Sequence, residues 1–262
     1  MRVALFGHEV EFRWRTLIFA FFASLFGACL LYFSYFFVKS FIAIRSGGED
    51  MWANERLDSS VSRAVANTNV TPNDLKALAP SGRPSMGPES SKLTVVAFLD
   101  YGCPYSRKAD GAFRETMLKY QNQVHFVVRD FPIEELHPNA FQAAHASRCV
   151  FAQGKGWAFH DALFAQTGDI NPADFERFAT QAGADLPKFR DCMDRQLFAG
   201  QVQQDLSDGI NAGVQGTPTY FFNGVRIQGA PANKQAEYFD YLIQRFLKSA
   251  TPSSTTPVAP SR

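Results

Sequence analysis

Cys103 stands in the stretch Asp100-Tyr101-Gly102-Cys103-Pro104-Tyr105-Ser106, where an apolar run ends and a helical pattern begins. The run is Leu93-Thr94-Val95-Val96-Ala97-Phe98-Leu99, and Pro104 suits the first turn of a helix. A thiol at such a junction faces unpaired backbone N–H groups and the positive end of a helix dipole, a setting that favours thiolate over thiol. Thiolate is the form that attacks a disulfide. Three residues on, where a second cysteine would make a dithiol pair, the sequence has Ser106. An alcohol neither attacks nor leaves as a thiolate does, so Cys103 has no resolving partner next to it. The Ser106 hydroxyl is expected instead to donate a hydrogen bond to the Cys103 thiolate. The chemistry open to this site is attack on a substrate disulfide, followed by release by a second, external or substrate thiol. That suits disulfide isomerisation or exchange with a small thiol. It does not suit net oxidation of dithiols by an internal disulfide.

The elements that must position this residue follow from patterning. Leu93–Leu99 is a mostly apolar run, as expected of a buried central strand, and Val124-His125-Phe126-Val127-Val128-Arg129 reads as the next strand. A helix is expected between them from Pro104 to about Tyr120. From His137 to about Ala212 the pattern is helical throughout. Thr219-Tyr220-Phe221-Phe222 and Val225-Arg226-Ile227-Gln228 then flank Asn223-Gly224, a hairpin signal. A last amphipathic helix is expected from about Asn233 to Lys248, with Tyr238, Tyr241, Leu242 and Phe246 on its buried face. Strand, helix, strand, helical block, hairpin and helix together predict an α/β fold, a mixed sheet with helices on both faces.

Two motifs in this order resemble the DsbA-like branch of the thioredoxin superfamily. They are Phe98-Leu99-Asp100-Tyr101-Gly102-Cys103-Pro104-Tyr105-Ser106-Arg107-Lys108 and Val214-Gln215-Gly216-Thr217-Pro218-Thr219-Tyr220-Phe221-Phe222-Asn223-Gly224. The segment from Ala146-Ser147-Arg148-Cys149 through Gly154, Trp157, His160 and Leu163-Phe164 is similar to that family's helical insertion. The resemblance covers about Ser85 to Lys248. It implies a thioredoxin-like fold with a helical insertion at about 137–212, and a thiol-disulfide oxidoreductase or isomerase of monothiol type. It makes Cys103 the nucleophile, with Ser106 and Pro218 as the other catalytic positions. Thr217-Pro218 resembles the family's cis-proline pair, whose loop lies against the cysteine and pairs with the substrate chain as an added strand. Pro104, Tyr105, Thr217 and Thr219 are then substrate-binding positions. Asp100 is read as a helix cap or a group that tunes the thiol. Arg107 and Lys108 are read mainly as solvated helix charges.

The resemblance also bears on the other cysteines. Some relatives carry a structural disulfide at places comparable to Cys149 and Cys192, which implies that bridge here. A rival reading takes His145, four residues before Cys149 and so on the same helix face, with His160 and Cys192 as zinc ligands. No compact Cys-x-x-Cys pair supports the rival, and neither a metal nor a cofactor is expected. One departure from the family is Ala97, at the position where thioredoxins carry a buried carboxylate.

Composition sets the surroundings. Among 262 residues, Lys+Arg 26 against Asp+Glu 25 leaves a formal charge of +1, which argues against a nucleic-acid partner. From Thr16 to Val38 no residue is charged and Phe, Leu and Ala dominate, enough to cross a bilayer core of about 20 helical residues. Arg13 and Arg15 precede the run and Lys39 follows it. The reading is a single-pass inner-membrane anchor at 16–38, after a short cytoplasmic N-terminus at 1–15, with the catalytic domain in the periplasm or extracytoplasmic space. A cleaved signal peptide and a lipoprotein signal at Phe26-Gly27-Ala28-Cys29 are the alternatives. Residues 39–84 read as a partly helical linker, 85–248 as the domain, and 249–262 as a disordered tail. The partners implied are protein substrates with disulfides or thiols, an external thiol or redox partner, and the membrane through the N-terminal helix. A redox-silent peptide-binding module and a thiol transferase are the competing functions.

Overall fold

The computed structural model describes residues 2–5, 8–11, 14–45, 72–231 and 233–249. It divides into two units, Met1–Arg63 and Ala64–Arg262. In the first, β1 (Arg2–Leu5) pairs antiparallel with β2 (His8–Glu11), a hairpin in what the sequence presents only as a short N-terminal segment. Helix α1 then runs Trp14–Arg45. Its stretch Ala20–Lys39 is long and apolar enough to cross a membrane, and Phe21, Phe26, Leu31 and Phe37 along it are exposed.

In the second unit the elements are α2 (Pro72–Leu78), β3 (Ser85–Met86), β4 (Leu93–Leu99), α3 (Pro104–Tyr120) and β5 (Val124–Asp130). The helical block follows as α4 (Ala140–Phe151), α5 (Gly156–Ala165), a 3-10 turn (Pro172–Asp174), α6 (Phe175–Gln181), α7 (Leu186–Asp194) and α8 (Ala199–Asn211). The chain closes with β6 (Thr219–Phe222), β7 (Val225–Gln228) and α9 (Gln235–Ser249). The sheet order is β3-β5-β4-β6-β7, with β4 and β5 parallel and the other pairs antiparallel. Asn223 and Gly224 both take positive φ, 46° and 84°, the twist that a two-residue hairpin between β6 and β7 requires.

Alternation along the central strands divides the core in two. On one face Phe113 of α3, Tyr220 of β6 and Phe239 of α9 meet with ring centroids 5.0–5.3 Å apart. On the other, Val96, Phe98, Val127 and Phe221 pack with Leu78, Phe131 and Val214. The buried residues of α9 are Phe239, Leu242, Ile243 and Phe246. This replaces the expected Tyr238 and Tyr241 by Phe239 and Ile243, the choice that keeps i, i+3, i+4, i+7 spacing.

The expected linker at 39–84 needs correction at its C-terminal end. Residues 46–71 lie outside the described residues, as does the expected tail at 249–262 apart from Ser249, which ends α9. Residues 72–84, however, are built into the second unit. Leu78 is buried, and the Ala77 and Leu78 carbonyls accept bonds from Arg129 at 3.0 and 2.9 Å. Arg83 pairs with Asp205 at 2.6 Å. The segment's polar composition hides these partners, which come from β5 and α8. Asp205 is the hub of a buried ionic cluster: it also takes Arg129 at 2.7 Å and Arg148 at 2.5 Å, and Arg148 reaches Asp130 at 2.6 Å.

Candidate active site

The tight turn after β4 sets the geometry. The Cys103 amide donates to the Asp100 carbonyl at 3.1 Å, and the Cys103 carbonyl accepts the first helical bond, from the Arg107 amide at 3.0 Å. Cys103 is thus the N-cap residue of α3, in extended geometry with φ −73° and ψ 121°, and Pro104 follows it. The missing N–H of Pro104 costs nothing at that position, while the other first-turn N–H groups favour negative charge.

Pairing in the sheet brings the second motif to the same place. Phe98 of β4 lies opposite Thr219 of β6, so antiparallel pairing sets the residues before Thr219 beside the turn after Leu99. Thr217–Pro218 is a cis peptide bond. The Cys103 Sγ, in a residue only 4% exposed, donates to the Thr217 carbonyl at 3.2 Å. The loop is tied by the Thr219 hydroxyl, which donates to the Gly216 carbonyl at 2.6 Å, and by the Gly229 amide, which donates to the Pro218 carbonyl at 2.8 Å.

Ser106 is wholly buried, and its Oγ accepts from the Asp100 amide at 3.5 Å, a long bond. This departs from the expected bond to Cys103. One turn into α3, the hydroxyl is turned toward the end of β4, whereas the thiol is turned toward the cis-proline loop. Tyr105 is 73% exposed and, with Lys108, Pro218 and Gln228, lines a groove of about 320 Å³ beside that loop. Arg107 donates to the Gly168 carbonyl at 2.9 Å, tying α3 to the loop after α5.

Asp100 caps no helix. Its buried carboxylate accepts from the Gly102 amide at 2.8 Å, the Ile133 amide at 2.9 Å and His137 Nδ1 at 2.8 Å. It therefore pins the cysteine turn to the loop after β5. A Cβ on Gly102 would fall 2.5 Å from the His137 Cβ, so only glycine allows this approach. In the sequence His137 reads only as the start of the insertion.

A second buried chain runs behind the turn. The Tyr101 hydroxyl lies 2.8 Å from the Ser147 Oγ and 2.9 Å from His160 Nδ1, and His160 Nε2 lies 2.9 Å from Asp110. Burial, reinforced by the Asp130 carboxylate, holds the Tyr101 phenol far above its ordinary range, so it stays protonated. Asp110, seven residues after Cys103 and so on nearly the same helix face, was the available signal for this chain. His160 is thus committed to Tyr101 and Asp110, away from the zinc set suggested for it. In the insertion, Cys149 of α4 and Cys192 of α7 form a disulfide with Cα atoms 5.8 Å apart.

Comparison with known proteins agrees with this geometry. A family model described as thioredoxin matches residues 81–244. The chain belongs to the thioredoxin family. A thioredoxin-like oxidoreductase from Silicibacter pomeroyi is 27% identical, with a TM-score of 0.56, covering 67% of this chain and 99% of that one. The thiol-disulfide exchange protein alpha-DsbA2 from Wolbachia pipientis, 19% identical with a TM-score of 0.59 over 74% of this chain and 98% of that one, shares the fold. The Na(+)/H(+) antiporter NhaA 3 of Salinispora tropica is 38% identical over 150 residues, 57% of this chain and 23% of the antiporter. The chain spans about a quarter of the length of the curated relatives it matches. In this thioredoxin domain Cys103 is the free thiol, since Cys29, the other free cysteine, lies in α1.

Proposed function

We propose that this protein exchanges disulfides in protein substrates through Cys103 alone. The supporting observation is the Cys103 Sγ at a helix N-terminus, 3.2 Å from the carbonyl of a cis-proline loop. The Cys103 thiolate attacks one sulfur of a substrate disulfide, forms a mixed disulfide and expels the other sulfur as thiolate. A second thiolate, from the substrate or from an external thiol, then attacks the mixed disulfide and restores the Cys103 thiolate. With a substrate thiol the disulfide is rearranged with no net electron transfer. With two equivalents of external thiol it is reduced, and those thiols become the new disulfide. Thr217, Pro218 and Thr219 hold the substrate as an added strand, with Tyr105 and Pro104 beside it. Ser106 fills the space of a resolving thiol without its chemistry.

Helix α1 anchors the protein in a membrane, with the domain on the extracytoplasmic side. No transport activity is carried over from the antiporters. Refolding of a scrambled-disulfide substrate by wild type and Cys103→Ala, with mass spectrometry of acid-trapped mixed disulfides, tests the reading. Activity and a Cys103 adduct in wild type alone support it, and activity that survives in Cys103→Ala overturns it. The groove beside Tyr105 and Pro218 favours one other reading, a peptide-binding module without redox turnover. That reading gains if holdase behaviour is equal in both proteins and no adduct forms.

A further inference from the structure

One buried imidazole takes no part in the exchange chemistry. His145 lies one turn before Cys149 on α4, is buried, and has its Nε2 3.8 Å from the Cys149 Sγ. A bonded sulfur has no hydrogen to donate and accepts weakly. Nε2 therefore has no strong partner among the described residues while the Cys149–Cys192 bridge is intact. We propose that reduction of this disulfide converts it into a zinc-binding site formed by His145, Cys149 and Cys192.

The bonded sulfurs are closer than zinc ligands stand, so reduction must let them separate for the metal to enter. In a tetrahedral zinc site with Zn–S about 2.3 Å and Zn–N about 2.0–2.1 Å, neighbouring ligand atoms stand roughly 3.5–3.8 Å apart. The three ligand atoms here all lie within 4.8 Å of one another, and all three residues are buried. His145 and Cys149 share one face of α4 at i, i+4, and Cys192 comes from α7, with its Cα 5.8 Å from that of Cys149. A cavity of about 520 Å³, lined in part by Ala152, Pro187 and Leu197, opens against both cysteines. His145 is not among its lining residues, so solvent reaches the cluster from the sulfur side.

The conversion balances without Cys103. A dithiol reductant passes two electrons and two protons to the bridge, becoming a cyclic disulfide and leaving two protein thiols. Zn²⁺ displaces both thiol protons and accepts the lone pair of His145 Nε2. The metal then holds α4 to α7 where the covalent link did.

Cobalt is a direct probe, because thiolate ligation gives it a charge-transfer band. The full chain in detergent carries Cys29→Ser and Cys103→Ser, so that only the insertion's thiols remain. After reduction with a phosphine and removal of the reagent, one Co²⁺ per chain with a thiolate band is expected, displaced by Zn²⁺. The oxidised chain is expected to show none. Changing a group that merely hydrogen-bonds a ligand already costs about 10–100-fold in metal affinity, so His145→Ala is expected to weaken binding at least that much. X-ray absorption of the zinc form is expected to show two sulfur ligands and at least one imidazole nitrogen. This reads the site without relying on a variant that folds. Absence of the band in the reduced chain, binding undiminished in His145→Ala, or a zinc shell without two sulfurs would each overturn the proposal. So would loss of folded circular dichroism on reduction in the presence of zinc.

Discussion

Removing the Asp100 carboxylate tests whether the cysteine turn is held as the structure implies. Three donors depend on it: the Gly102 and Ile133 amides and His137 Nδ1, all at 2.8–2.9 Å. In Asp100→Ala the two amides, both in half-buried residues, lose their acceptor, while His137, whose side chain is 17% exposed, can turn to water. An orphaned buried donor costs about 1–3 kcal/mol; the partial exposure of both amides and the relief from burying the carboxylate lower the sum, so a loss of about 1–4 kcal/mol is expected. Asp100→Asn has one acceptor oxygen to offer. Whichever way its amide faces, one of the two backbone amides is left unpaired, for a loss of about 1–3 kcal/mol. Urea unfolding of the full chain in detergent measures both, and an unchanged slope shows that stability alone has moved. Alkylation of Cys103 should quicken in the same order, with Cys29 as the internal standard that stays constant. An alanine variant within about 0.5 kcal/mol of wild type, the ordinary range for a surface change, would refute the pinning role, as would an asparagine variant worse than alanine.

Other consequences follow from neighbouring contacts. Ser106→Cys restores a dithiol pair, so it should lose both site thiols to an internal bridge in air and gain dithiol-oxidising activity; thiol titration that still finds both would contradict the monothiol reading. Asp205→Ala takes a shared carboxylate from Arg83, Arg129 and Arg148, leaving Arg129 to Asp208 and Arg148 to Asp130, and should cost up to about 3–5 kcal/mol, seen as a Tm lower by up to roughly 6–20 °C. Burial pushes the imidazoles of His145 and His125 below their ordinary value, the latter against a small opposing pull from Glu89. Both take up protons at lower pH in the folded chain than in the unfolded chain, which does so below about pH 6.5. Stability should therefore fall as pH drops through that value, and His145→Gln should flatten the slope; an unchanged slope would rule out His145 as a contributor.

What the sequence made legible was whatever repeats along the chain or sits in one short motif. The apolar run at Leu93–Leu99, the proline after Cys103 and the turn at Asn223-Gly224 each carry local conformational preferences strong enough to survive folding. Thr217-Pro218 was legible for the same reason. The residues that hold the thiol in place were not, because their roles are set by partners from other elements. Asp100 is an acid near a helix start, and nothing within ten residues of it distinguishes a cap from an anchor. Its role appears only when the loop after β5 brings Ile133 and His137 to its second oxygen. Tyr101 needs α5 to supply His160, and Arg129 reads as the polar end of a strand until α8 supplies Asp205.

The difference between the bond expected from Ser106 to Cys103 and the one Ser106 makes to the Asp100 amide has the same origin. Adjacency in a motif suggests contact, but residues three apart at the start of a helix divide between two different neighbours. The serine serves the strand end and the cysteine serves the loop. That division aims the Cys103 sulfur at the cis-proline loop, so a resolving thiol at position 106 would have to turn away from β4 before it could reach it. The Ser106→Cys variant should then close its bridge only with loss of the Asp100 amide's partner. Hydrogen exchange at that amide, slow in the dithiol form and fast in the disulfide form, would register the trade directly, and equal exchange in both forms would show that the serine contact holds nothing.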